Sequence, residues 1–181
     1  MPPRSRSRSK PEPPPQAPPD VYRPGEIIRT PRVKSVRIDV YKAVLFIMIG
    51  GSRRQSAAIS DQRLNRAPAD EPLPELTDDD LERMKRPTGT NWTLEGKPDA
   101  FIWIPKIPKT PWDFAVVTHE AVHVAVHICH VLGIKIEAPV SDPAFVNDEA
   151  LTYLSEFIAR EVFTFIEELT DEWKASRKSR R

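Results

Sequence analysis

The stretch THEAVHVAVHICHVLG, residues 118–133, contains all four histidines of this 181-residue chain: His119, His123, His127 and His130. The remaining residues of the stretch are almost all apolar, and Glu120 is its only carboxylate. A buried Glu without a partner is energetically costly. The clustering of histidines around one such carboxylate therefore indicates a functional site.

A helix over residues 111–132 is predicted from its start and stop signals. Thr110 is a favourable N-cap, Pro111 suits the first helical position, and Asp113 completes the cap. Gly133 is typical of a helix end. Apolar residues occur all around this helix at 3.6 residues per turn, so we expect it to be buried on all sides.

His119, Glu120 and His123 form the motif HExxH. Two imidazoles four residues apart lie on one helical face and can chelate one metal ion, with Glu120 beside them. Zinc lowers the pKa of a bound water towards 7, so that Glu120 can accept its proton and pass it to a leaving amine. The alternative is a pair of satisfied core histidines. A metal site is favoured because chance matches usually fall on amphipathic surface helices.

His127 and His130 cannot complete this site in an unbroken helix. At 1.5 Å per residue they lie about 12 and 16 Å along the axis from His119. A metzincin site would need a turn-forming glycine at position 126, where this chain has Val126. We interpret both histidines as supporting or core groups, with ligation of another metal as the alternative.

A second long helix is predicted from near residue 142 or 147 to about residue 168. One buried stripe is expected from apolar residues at three- and four-residue intervals: Ala150, Leu151, Leu154, Ile158, Val162, Phe165 and Leu169. A catalytic zinc needs a third protein ligand, and Glu149 or Asp148 at the start of this helix can supply it, with Glu149 favoured. Tyr153, one turn on, is a candidate donor to a developing oxyanion. The alternative is that both acids only favour the helix N-terminus and Tyr153 only packs.

The rest of the chain predicts a small sheet. Alternation from Val36 and the apolar run at residues 43–49 indicate one or two strands, whereas the polar residues 52–76 indicate a loop. Thr77 and Asp80 form a capping box before a short helix. The run AFIWI, residues 100–104, is followed by prolines and predicts a strand close to a sheet edge. The fold class is therefore α+β, with a small sheet packed on two long helices over residues 31–172.

Both ends of the chain are basic, and the intervening body is acidic. Residues 1–30 are predicted to be a disordered Pro/Arg/Ser-rich arm and residues 173–181 a basic tail, because neither carries enough apolar surface to fold. Contact of these tails with nucleic acid is less favoured than a solubilising role. The single Cys129 excludes an internal disulfide. Residues 43–49 are too short to span a membrane, so a cytoplasmic protein is expected.

The residues HEAVH at 119–123 and DEALTYL at 148–154 resemble the gluzincin metallopeptidases, and most closely the small HExxH…DEAxxYL proteins of tailed phages and prophages. This resemblance implies one zinc per chain bound by His119, His123 and Glu149, with Glu120 as general base. It also implies that AFIWI is the edge strand that pairs with an extended peptide substrate. Better-known gluzincins place the third ligand directly after Asn, whereas Asp148 intervenes here, which keeps Asp148 as an alternative ligand.

Two functions are therefore considered. The leading hypothesis is a zinc-dependent endopeptidase or related amide hydrolase in the cytoplasm, that of the bacterial host if the chain is phage-encoded. The alternative is a virion-associated phage structural or assembly protein that uses the zincin-like fold as a scaffold and contacts neighbouring subunits through its N-terminal arm.

Overall fold

The computed structural model describes residues 22–65, 72–86, 88–134 and 149–178. These residues form an α+β fold with one mixed four-stranded sheet and four α-helices, which confirms the predicted class. The elements are β1 Arg32–Ile38, β2 Ala43–Ile49, α1 Arg53–Leu64, α2 Asp78–Met84, β3 Thr90–Thr93, β4 Ala100–Ile104, α3 Pro111–Val131 and α4 Glu149–Lys178.

The strand order in the sheet is β1-β2-β4-β3. β1 is antiparallel to β2, β2 is parallel to β4, and β4 is antiparallel to β3. The strand AFIWI is β4, and it lies between two neighbours, so its predicted role as the edge strand is wrong. All five of its residues are buried, because both faces of an inner strand are covered. The outer position next to it belongs to β3, which the sequence did not predict.

The sheet is covered on both faces, and β4 shows this most clearly. Ile102 and Ile104 pack into a core with α3 and α4, whereas Phe101 and Trp103 point the other way and pack against α1. This is the period of two expected of a strand. α4 contributes the predicted stripe to the first core through its buried residues Leu154, Ile158, Val162, Phe165 and Leu169.

The prediction of a loop over residues 52–76 is wrong for Arg53–Leu64, which form α1, whereas residues 72–76 contain no helix or strand. Ser52 and Gln55 form a reciprocal capping box at its start. The helix is polar on most sides and buries few apolar side chains, chiefly Ile59 and Leu64, so it has almost no amphipathic pattern. The capping box S-x-x-Q was the available signal.

Residues 22–30 pack on the body, although the sequence assigned them to the disordered arm. Ile28 is fully buried and Tyr22 is 6% exposed. The amide of Gly25 donates to the carbonyl of Ile107 at 2.9 Å, and Ile27 forms a bridge with Lys106. The packed body therefore begins before the predicted boundary at residue 31.

Candidate metal centre

The start of α3 is fixed by the predicted capping box. Thr110 and Asp113 cap each other, and Asp113 Oδ2 also accepts from the amide of Lys109 at 3.0 Å. Lys106 Nζ lies 2.9 Å from Asp113 Oδ1. Burial raises the pKa of Asp113, but the adjacent Lys106 ammonium and hydrogen bonds from Thr110 and Lys109 outweigh this effect and lower the pKa to about 2. The carboxylate of Asp113, which caps the helix that carries the motif, is therefore ionised at neutral pH.

α3 is buried on one side only, so the prediction of burial on all sides is wrong. Val117, Val124 and Ile128 face the sheet and α4 and are buried. On the opposite side Val122 is 41% exposed and Val126 40%. No element among the described residues covers this outward face. The composition of α3 could not show this, because its outward positions are also apolar.

His119 and His123 lie on this outward face and point at each other. Their Nε2 atoms are 3.0 Å apart, and their rings meet edge to face with centroids 4.5 Å apart. Two nitrogens bound at about 2.0–2.1 Å to a tetrahedral zinc lie about 3.4 Å from each other. The observed separation is therefore a few tenths of an ångström shorter than the separation in such a site. The pair fits two positions of a zinc site.

Glu120 lies between α3 and the sheet, beside the histidine pair in sequence. Its side chain is buried, with 8% of the residue exposed. Its Oε2 accepts a 2.7 Å hydrogen bond from Nδ2 of Asn91 on β3. A buried polar group is tolerated when it has a hydrogen-bond partner. This bond therefore explains how an otherwise apolar helix can carry a buried carboxylate. Sequence reasoning did not identify Asn91, since no motif marks it.

Gly89, which directly precedes β3, allows the chain to pack closely against α3. A Cβ atom at position 89 would lie 2.7 Å from Val116 Cγ1 and 3.0 Å from Glu120 Cγ. Both distances are shorter than normal contacts, so any larger residue at position 89 would require the side chains of Val116 and Glu120, or α3 itself, to shift. The position of the Glu120 side chain therefore depends on the absence of a side chain at residue 89.

The structure does not bring the third predicted ligand to the histidine pair. Within the described ranges, no three His, Cys, Asp or Glu side chains converge where they could hold a metal ion. Glu149 is the exposed first residue of α4, and Asp148 lies outside the described residues. Tyr153 is 67% exposed. The ligand role of Glu149 and the catalytic role of Tyr153 stay predictions.

The other two histidines lie further along α3. His127 Nε2 is 2.8 Å from the carbonyl oxygen of Lys97, which lies in the loop between β3 and β4. His127 therefore ties that hairpin to the motif helix, as a supporting group would. His130 is exposed in the last turn of α3, so it is not a core residue.

Comparison of the chain with family models, with curated proteins and with solved structures gives no significant match. The resemblance to gluzincins therefore depends on the motif residues themselves. By length and composition, α3 is the single helix among the described residues that is long and apolar enough to cross a membrane. A core helix of the same composition meets these two criteria equally well, and one side of α3 packs on the sheet and α4.

Proposed function

We propose that the protein is a zincin-like, zinc-dependent endopeptidase or closely related amide hydrolase. The observation that carries the proposal is the convergence of His119 Nε2 and His123 Nε2 at 3.0 Å on an exposed face, next to the buried, hydrogen-bonded Glu120. His119 and His123 would hold the zinc. Glu149 does not lie at the pair in the structure, so zinc binding would have to draw the start of α4 to the pair for Glu149 to complete the ligand set. Bound zinc would supply a Lewis acid that polarises the scissile carbonyl and lowers the pKa of the attacking water.

Glu120 would act as the general base of this reaction. Its carboxylate would accept a proton from the attacking water and donate it to the amine that leaves when the C–N bond breaks. Asn91 occupies only Oε2 in the described contacts, which leaves Oε1 for the water. The hydrogen bond also restricts the rotation of the carboxylate, so that the base is held before the substrate arrives.

The substrate would bind along β3. β1 and β3 are the two edge strands of the described sheet, and β3 is the one whose Asn91 contacts the proposed general base. An extended peptide can add to such an edge through backbone hydrogen bonds. β3 thus takes the place that the sequence assigned to AFIWI. An unfolded or extended segment of a protein is the substrate class that this geometry supports.

The experiment that tests the function compares wild type with Glu120→Gln and His123→Ala. Purified protein is expected to contain about one zinc per chain and to cleave an unstructured protein. Glu120→Gln keeps the shape and the acceptor for Asn91, so zinc content and Tm should stay near those of wild type. Cleavage should fall by about 10²-fold or more, the scale of general-base catalysis. His123→Ala should lose the metal.

Two outcomes would overturn the proposal. Protein that folds normally but takes up no added zinc would exclude the site. Zinc-loaded protein that cleaves nothing across a broad peptide library, with Glu120→Gln unchanged in every assay, would leave a metal scaffold. In that case, assembly of phage structural subunits through the N-terminal arm would become the leading hypothesis.

A further inference from the structure

A cleft lies on the face of the sheet opposite α3. None of the HExxH residues His119, Glu120 and His123 lines it. Its volume is about 790 Å³, and it is formed by α1, α2 and the side chains of Trp92 and Trp103 from β3 and β4. This volume lies in the range of small-molecule sites. No residue proposed to hold zinc or to transfer a proton lines this cleft, although Trp92 belongs to β3, the strand proposed to receive the peptide.

Four arginines surround the cleft, and two of them have no acidic partner. Arg54 Nη2 lies 2.7 Å from Asp80 Oδ2, and Arg83 Nε lies 2.9 Å from Asp79 Oδ2. Arg53 and Arg86 also line the cleft, and no carboxylate in the described part of the chain pairs with either. Each of the two acids is therefore paired with an arginine, and among the described residues that line the cleft the arginines outnumber the acids by two. That charge favours an anionic ligand. A phosphate suits arginine in particular, because one guanidinium group can donate two parallel hydrogen bonds to two phosphate oxygens.

Two tryptophans give the cleft an aromatic wall. Trp103 is 3% exposed, and its indole Nε1 donates to the carbonyl of Gly50 at 2.9 Å, so its ring is fixed. Trp92 is only partly buried and stands 6.4 Å from Trp103 and 5.8 Å from Phe101 between ring centroids. The ring of Trp92 is therefore packed against Phe101 and Trp103 on one side and remains accessible from the cleft. An aromatic ring of this kind stacks with nucleobases regardless of their identity.

We propose that this cleft binds a nucleoside phosphate, with its phosphate on Arg53 and Arg86 and its base against Trp92. Inorganic phosphate would use only the arginines, and an apolar metabolite would use only the tryptophans. A nucleotide uses both features of the same cleft. The proposal does not depend on zinc or on peptide hydrolysis.

The test is titration of full-length, EDTA-treated protein with AMP and UMP, followed by calorimetry and tryptophan fluorescence. Removal of metal prevents phosphate from binding at the histidine pair. Saturable binding is expected for both nucleotides and should be at least tenfold weaker for adenosine and for inorganic phosphate. Each of Arg53→Gln and Arg86→Gln should weaken binding about tenfold, the scale of a charge-assisted hydrogen bond. Trp92→Leu should weaken it further than Trp92→Phe, which keeps a ring.

Arg37→Gln on β1 is the matched control, because Arg37 is exposed and does not line the cleft. An equal loss of affinity in Arg37→Gln would show non-specific charge attraction and overturn the proposal. Absence of saturable binding at millimolar nucleotide would do the same. A short single-stranded oligonucleotide that binds far more tightly than AMP would assign the cleft to a nucleic-acid strand and overturn the free-nucleotide form. Loss of binding in His123→Ala would place the phosphate at the motif instead.

Discussion

The side-chain amide of Asn91, on the edge strand β3, donates a 2.7 Å hydrogen bond to the carboxylate of Glu120 on α3. This contact joins the edge of the sheet to the HExxH motif. The two residues are 29 positions apart in the chain and belong to separate elements. The proposed base is therefore oriented by the same strand that would receive the substrate.

Replacement of Asn91 should show the cost of leaving this buried carboxylate without a donor. Asn91→Leu has a similar size, so we expect a loss of about 1–3 kcal/mol in the free energy of unfolding, measured by urea denaturation. In a Glu120→Leu background the same substitution should cost almost nothing. An equal cost in both backgrounds would mean that Asn91 acts through packing and not through the hydrogen bond.

The third zinc ligand is tested by two neighbouring substitutions. If Glu149 is the third ligand, Glu149→Ala should weaken zinc binding by orders of magnitude in a competition assay with a chelator. Asp148→Ala should cost at most the 10–100-fold that is typical of a residue supporting a ligand. The reverse order would transfer the ligand role to Asp148.

Acid should destabilise the protein through two carboxylates. At Asp113, burial raises the pKa, but the Lys106 ammonium and hydrogen bonds from Thr110 and Lys109 lower it from 3.8 to about 2. At Asp80, the hydrogen bond from Arg54 has the largest effect and lowers the pKa from 3.8 to about 2. The folded state thus binds fewer protons than the unfolded state between these values. Each group therefore stabilises the fold fully above about pH 4 and loses this contribution as the pH falls to about 2.

The size of the Asp113 contribution can be measured against a surface control. A shift of this extent corresponds to about 2 kcal/mol. The free energy of unfolding of wild type, measured by urea denaturation, should therefore fall by about this amount more than that of Asp113→Asn between pH 5 and pH 2. Asp39→Asn, at an exposed residue, should follow the wild-type curve. Identical curves for Asp113→Asn and wild type would contradict the assignment.

Gly89→Ala should push α3 away from β3. The new methyl group would lie 2.7 Å from Val116 Cγ1, and overpacking of this kind costs about 1–3 kcal/mol. Val116→Ala removes the nearest obstacle, so the double variant should recover part of the stability that Gly89→Ala loses. Thermal denaturation of the three variants measures this, and no recovery would argue that the backbone of residue 89 is the source of the loss.

Ile28→Ala tests whether residues 22–30 belong to the packed body. Ile28 is fully buried, so truncation should cost about 2–5 kcal/mol. Val40 is 88% exposed, and Val40→Ala should change the free energy of unfolding by less than about 0.5 kcal/mol. If Ile28→Ala lowers the free energy of unfolding no more than Val40→Ala does, residues 22–30 do not belong to the packed body.

Local signals in the sequence predicted α3 and its caps, because Thr110, Pro111 and Asp113 act within one turn of each other. They did not predict the neighbours of β4, since its partner β2 is distant in the chain and its other partner, β3, has only four residues. The pairing of His119 with His123 was likewise local, because the two residues are four positions apart on one helix. The hydrogen bond from Asn91 and the space above Gly89 arise from tertiary packing, which no short pattern encodes.

The parallel pairing of β2 with β4 has a consequence for how the protein folds. The intervening 50 residues include α1, α2 and β3, so this pairing must close a long loop before it gains any contacts. The antiparallel pairs β1–β2 and β3–β4 join strands that are neighbours in the chain and can form early. Domains dominated by distant pairings cross their folding barrier slowly. The central seam of the sheet is therefore expected to form late, and newly synthesised chains would expose the unpaired edges of two hairpins until it closes.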